Sequence, residues 1–236
     1  ANNSCGARSL RYGNMVHNVR AVDALLADGT AVRMGDVPGN FDENAMPERY
    51  RDLVRGLRAL HRREASEIER RFPKLLRRVG GYNIDMIDDA GHNMAQLLVG
   101  SEGTLAFFNA IELELQPIPP HRVLGICHFP TFYQAMAATK AIVALGPTAV
   151  ELVDRTMIEL SRDIALFRAT VDRFVRGEPA ALLLVEFAGE DRDDNRRRLR
   201  ALVELMGDLG FPGAVVEAAD PAFQSAVWEV RKQGLN

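Results

Sequence analysis

Between Met15 and Met34 the chain alternates apolar and polar positions, and the alternation breaks at Asp28-Gly29. An Asp-Gly pair between two such runs predicts a β-hairpin, because a tight hairpin turn needs positive φ. Gly35 to Met46, with Pro38 and Gly39, reads as a loop. "PERYRDLVRGLRAL" and "REASEIERRF" read as two helices, polar on most faces, with Pro73 ending the second. "RRVGGYNIDMIDDAG" has no period and reads as a loop, and "HNMAQLLV" as two turns of helix. Ala106 to Leu115 predicts a strand in which Leu113 and Leu115 alternate with Glu112 and Glu114.

The proline cluster Pro117–Pro120 marks the domain boundary, and beyond it the rhythm becomes strand–helix alternation. "HRVLGICHF", "TAVELVD", "AALLLVEFAG" and "AVVEA" predict strands. "TFYQAMAATKAIVALG" predicts a helix capped by Thr131 and ended by Gly146. "RTMIELSRDIALFRATVDRFV" predicts one or two helices. "DRDDNRRRLRALVELMGDLG" carries acids first and bases after, which suits the helix dipole. "PAFQSAVWEVRKQ" is a closing helix. The pattern argues for an α+β layer in which helices cover a sheet.

Composition changes this picture little. The 236 residues are 47% hydrophobic and 26% charged, with net charge −3, which gives no global pull towards nucleic acid or anionic membrane. Glu48 to Arg78 is locally basic, eleven Lys/Arg against five Asp/Glu, and reads as solvated helix faces. The two cysteines, Cys5 and Cys127, lack C-x-x-C spacing; they exclude a disulfide framework and fit a reducing, cytoplasmic setting. No apolar run approaches the roughly 20 residues of a transmembrane helix. The chain opens inside a Gly/Asn-rich loop and stops inside a helical pattern, so it reads as a piece of a longer protein.

Candidate chemistry is sparse. Ser101 does not lie in a G-x-S-x-G elbow, the five histidines show no metal-ligand spacing, and "DMIDD" lacks the glycine of a calcium loop. No catalytic residue and no metal ligand is assigned. Two loops have the chemistry of an anion cradle, in which side-chain donors accompany glycines that let backbone N–H groups approach. One carries Asn2, Asn3, Ser4, Gly6 and Gly13; the other is "GSEGTL", Gly100 to Leu105.

Together with "GGYNID", "GPTAVELVD" and "WEVRKQG", these loops resemble FAD-linked oxidoreductases of the vanillyl-alcohol-oxidase type. The nearest group is the one containing D-lactate and D-2-hydroxyglutarate dehydrogenases. The resemblance implies the later half of a FAD-binding domain over residues 1–118. Over residues 119–236 it implies the start of a substrate domain, an antiparallel sheet with helices on one face. It implies oxidation of a D-2-hydroxy acid, lactate-like or glycolate-like, to the 2-oxo acid by hydride transfer to FAD, and an electron acceptor as partner. The alternative is a non-catalytic binding or assembly module that keeps the flavin fold. Cofactor contacts would come from Asn2, Asn3, Ser4, Cys5, Gly6, Tyr12, Gly13, Gly100, Ser101, Glu102, Gly103, Thr104, Leu105 and Phe107. Arg231 would meet the substrate carboxylate. The chain departs from the family pattern at Cys5, Ala106 and Asn109-Ala110. The family's Gly-rich pyrophosphate loop would precede Ala1, so this piece alone is expected to hold FAD weakly or not at all.

Overall fold

A computed structural model describes residues 2–42, 45–75 and 77–233. The chain forms two compact units, Ala1–Gln116 and Pro117–Asn236.

The first unit begins with two single-turn helices, α1 (Ser9–Tyr12) and α2 (Met15–Asn18), so the run from Met15 opens as a helical turn before it becomes strand. The hairpin follows as β1 (Val19–Leu25) and β2 (Ala31–Met34), with Gly29 at φ +81° and the Asp28 carboxylate accepting from Thr30 N at 2.9 Å. The stretch read as a loop from Gly35 contains a short strand, β3 (Asp36–Pro38). The two helices expected next are one, α3 (Glu48–Arg71), because His61, Arg62 and Arg63 continue the helix and nothing between them breaks it. A 3₁₀ turn (Ile84–Met86) precedes β4 (Gly91–Asn93), which pairs with β3. Gly39 has a packing reason: a Cβ there would stand 2.7 Å from Ala90 O. Pairing takes His92 and Asn93 out of the expected helix, which shrinks to one turn, α4 (Ala95–Leu98). Strand β5 (Phe107–Leu113) closes an antiparallel sheet of order β2-β1-β5. The expected alternation does not bury its leucines. As an edge strand, β5 leaves Leu113 45% exposed, and Leu115 beyond its end is 86% exposed.

Among the described residues the second unit is one four-stranded antiparallel sheet with five helices. In chain order these are β6 (His121–Phe129), α5 (Phe132–Ala144), β7 (Ala149–Asp154), α6 (Arg155–Asp163), α7 (Ala165–Phe174), β8 (Ala181–Gly189), α8 (Arg192–Asp208), β9 (Val215–Ala218) and α9 (Pro221–Gln233). The strand order is β7-β8-β6-β9. The Thr131 hydroxyl accepts from Gln134 N at 3.2 Å, capping α5 as expected. The helices do not share one face. Val123, Cys127, Phe129, Leu183, Val185 and Phe187 point at α5 and α8, while Leu124, Ile126, Leu182 and Leu184 point at the side of α6, α7 and α9. The physical cause lies in the sequence of β8: "ALLLVEFAG" is apolar at nearly every position, so both faces of this central strand need cover.

Candidate functional site

The two glycine-bearing loops come together in the first unit. Gly100, at φ +88°, lies against Asn3, so a Cβ there would stand 3.5 Å from Asn3 Cβ and 3.4 Å from Gly81 O. Asn3 is buried, and its Oδ1 accepts from Val16 N at 3.0 Å, which anchors the first loop to α2. "GSEGTL" is a tight turn: Thr104 N donates to Ser101 O at 2.9 Å, and Glu102 and Gly103 have φ of +50° and +84°. Among the described residues Glu102 is the one non-glycine with positive φ. The Thr104 hydroxyl also donates to Ser101 O, at 2.6 Å, and lies 2.7 Å from the Tyr82 hydroxyl. Ser101 is 2% exposed, yet its Oγ has no partner. An orphaned hydroxyl between Gly100, packed against Asn3 and Gly81, and Gly103, open around its Cβ position, is what a cradle for a polar ligand presents.

The third wall is the loop carrying Gly80 to Asn83. Asn83 is 1% exposed, and its Nδ2 donates to Gln96 O at 3.0 Å and Val99 O at 2.8 Å. It thereby ties this loop to the segment that leads into Gly100. Reading the residues alone leaves Gly81, Tyr82 and Asn83 out of the site; their signal is the Gly-Gly-x-Asn run inside a segment without period.

The other expected contacts are spread out. Asn2, Ser4, Cys5 and Gly6 are exposed on the first loop. Gly13 has a different reason to be glycine: at φ +71°, a Cβ would lie 2.6 Å from His17 Nδ1. Tyr12 is half-buried beneath Arg11. Leu105 packs into the core of the first unit, and Ala106 is 7% exposed. Phe107 is 67% exposed on β5, opposite Leu25. An adjoining cleft of about 480 Å³, with Asn14, His17, His61, Arg78, Asn83 and Asp85 among its walls, shares Asn83 with that third wall and contains none of the expected cofactor residues. There the Arg78 guanidinium and the Asp85 carboxylate form a pair with both oxygens at 2.7 Å.

Arg231 lies in the second unit on α9. Its Nε and Nη2 donate to Glu151 Oε2 on β7, at 3.1 and 2.7 Å. The two side chains are 17% and 19% exposed. Another carboxylate, Glu186, stands on the same face of the sheet, opposite Ala149, and is 1% exposed. Glu151 is absent from the residues read as functional, although "TAVELVD" signals it: a charge occupies a position that period two assigns to the face of Val153.

Burial pushes the Cys127 thiol up to about 12, which leaves it inert at neutral pH. Burial also holds His128 and His92 below the usual imidazole range. Among the described residues no group of three or more His, Cys, Asp or Glu is placed to hold a metal, and no helix is long and apolar enough to cross a membrane.

Comparison with known proteins adds the following. A family model described as FAD linked oxidases, C-terminal domain, matches residues 118–236. A D-2-hydroxyglutarate dehydrogenase of Haemophilus influenzae is 28% identical over 214 residues, covering 86% of this chain and 21% of that protein. A mitochondrial D-lactate dehydrogenase [cytochrome] of Arabidopsis thaliana is 30% identical over 148 residues, covering 62% of this chain and 24% of that protein. A structure of alkyldihydroxyacetonephosphate synthase superposes with TM-score 0.54 at 15% identity, covering 94% of this chain and 32% of that one, which is a likeness of fold. The chain therefore spans about a fifth to a quarter of the length of the two dehydrogenases.

Proposed function

The chain belongs to the FAD linked oxidases, whose C-terminal domain it carries over residues 118–236, and from that premise we propose its part in a flavin-dependent dehydrogenase. Residues 1–118 are part of the FAD-binding domain and residues 119–236 part of the substrate domain. The enzyme oxidises a D-2-hydroxy acid, lactate-like or glycolate-like, to the 2-oxo acid and passes the electrons to a separate acceptor. The names of the two dehydrogenase relatives support that substrate class.

The observation that carries the cofactor half is the meeting of Asn3, Gly81 and Gly100 beside the buried, unpartnered Ser101 hydroxyl. These residues fit a polar, phosphate-bearing group: the glycines admit close backbone approach, and the hydroxyl lacks a partner inside the protein. Bound FAD supplies a two-electron acceptor for hydride. The chain's own residues supply the rest. Asn2 to Gly6 and Gly100 to Leu105 hold the cofactor. Tyr82 and Thr104 fix the turn that presents Gly103. Arg231 orients the substrate through its carboxylate, since a guanidinium can grip a carboxylate through parallel hydrogen bonds.

Gly103→Val tests the cofactor half in the flavin-loaded enzyme. Nothing lies within 4 Å of a Cβ at Gly103, so the substitution acts inside the protein only through the strain of a branched residue at φ +84° and through the face it offers a ligand. FAD absorbance is expected to be lost from the purified variant while circular dichroism stays that of the parent. A folded variant that keeps stoichiometric FAD overturns the assignment of "GSEGTL".

A further inference from the structure

We propose that Glu151 is the positioning residue for Arg231, holding the guanidinium by its side so that its end stays open to a carboxylate. The inference rests on the reading of Arg231 given above. A guanidinium carries five N–H donors on two usable faces: a side face made by Nε and Nη2, and an end face made by Nη1 and Nη2. Glu151 takes the side face with one oxygen, Oε2, at 3.1 and 2.7 Å. Among the described residues Nη1 makes no hydrogen bond or ion pair, so the end face keeps Nη1 and the second N–H of Nη2 for a ligand.

Both side chains stand on rigid supports. Glu151 sits in β7, where its backbone is paired opposite Leu184 of β8. Arg231 sits on α9, where Val227 and Val230 are buried against the sheet. The pair is largely but not wholly covered, at 17% and 19% exposure, which limits screening and still admits a small anion. A guanidinium without its side partner would sample many rotamers and would have to be ordered by each arriving substrate. The rival account is a tie between α9 and β7 that adds stability and touches no ligand. The two accounts part on whether the Glu151 carboxylate affects substrate affinity.

The test uses the flavin-loaded enzyme with D-lactate and glycolate as probes. Arg231→Lys keeps the charge and loses the fork, so KM is expected to rise about 10- to 100-fold. Glu151→Gln keeps the shape and loses the charge that holds the guanidinium. It is expected to raise KM about 10-fold, with the loss falling mainly on KM and with FAD content unchanged. Glu151→Asp keeps the charge one methylene short and should lie between parent and Glu151→Gln; it also carries the test if Glu151→Gln fails to fold. The double variant should be no worse than Arg231→Lys alone, because both changes remove one arrangement. If Glu151→Gln lowers the melting temperature but leaves KM within twofold, while Arg231→Lys raises it, Glu151 is only a tie and the reading of Arg231 stands. If neither substitution raises KM, the carboxylate role of Arg231 fails and takes this inference with it.

Discussion

Asn83 and Gly103 show how different the demands on two neighbouring loops are. The Asn83 amide holds two carbonyls from a position only 1% exposed to solvent. Asn83→Ala would leave the Gln96 and Val99 carbonyls without their donor and is expected to destabilise the first unit by about 1–3 kcal/mol. Denaturant midpoints at unchanged slope would register that loss, and an unchanged midpoint would show that other donors replace the amide. Gly103 is held by conformation alone, with no neighbour within 4 Å of its Cβ position. Its glycine is legible in the sequence, because positive φ is a local demand. The role of Asn83 is not legible, because its two acceptors lie 13 and 16 residues away and are chosen by the fold. Arg231 is a stronger case. Its motif marks the residue, while Glu151, 80 residues earlier, is found only once the sheet is assembled.

At the scale of elements, α3 and β6 give predictions of opposite sign. Gly56 lies inside α3, is exposed, and has open space around its Cβ position. Gly56→Ala should therefore stabilise the first unit by about 0.5–1 kcal/mol through helix propensity and a less free unfolded chain. Gly125 lies in β6 beneath α8, where a Cβ would meet Leu202 Cδ2 at 2.5 Å and Leu199 Cδ1 at 3.1 Å. Gly125→Val should push the helix from the sheet and cost about 1–3 kcal/mol. Thermal melts of the two variants should move in opposite directions; a Gly125→Val protein as stable as the parent would mean that α8 relaxes without cost. Both elements are predicted by period and composition, but period assigns Gly125 no neighbour. The single helix over Glu48–Arg71, read as two, shows a similar limit: the local pattern weakens at Leu60–Arg63 while the helix continues on intrinsic propensity.

Across the whole molecule, each unit holds one histidine whose burial opposes its charge, His92 in the first and His128 in the second. The His128 ring is enclosed by backbone, with Nδ1 beside the Ala214 and Ile126 carbonyls and Nε2 beside the Phe174 carbonyl and the Arg176 N–H. Both folded-state values lie below the unfolded value of about 6.5, so the unfolded chain takes up protons first as pH falls. Stability is thus fully present above about pH 6.5 and declines below it, by at most about 1.4 kcal/mol per pH unit for each group, until the folded form titrates. Melting temperature should fall between pH 7.5 and pH 5; a flat profile would show that neither ring is protected from protonation. The sequence by itself determined the elements whose causes are local: the Asp28-Gly29 turn, the Thr131 cap and the strand–helix rhythm after Pro120. Through its motifs it also determined the family. Tertiary structure alone decided that helices cover both faces of the second sheet, that β5 leaves its leucines at an edge, that Asn3 meets Gly100, and that Arg231 is held by Glu151. The reason is physical. Hydrophobic period records that a side must be buried, but the partner that buries it is set by strand order and by contacts between residues far apart in the chain.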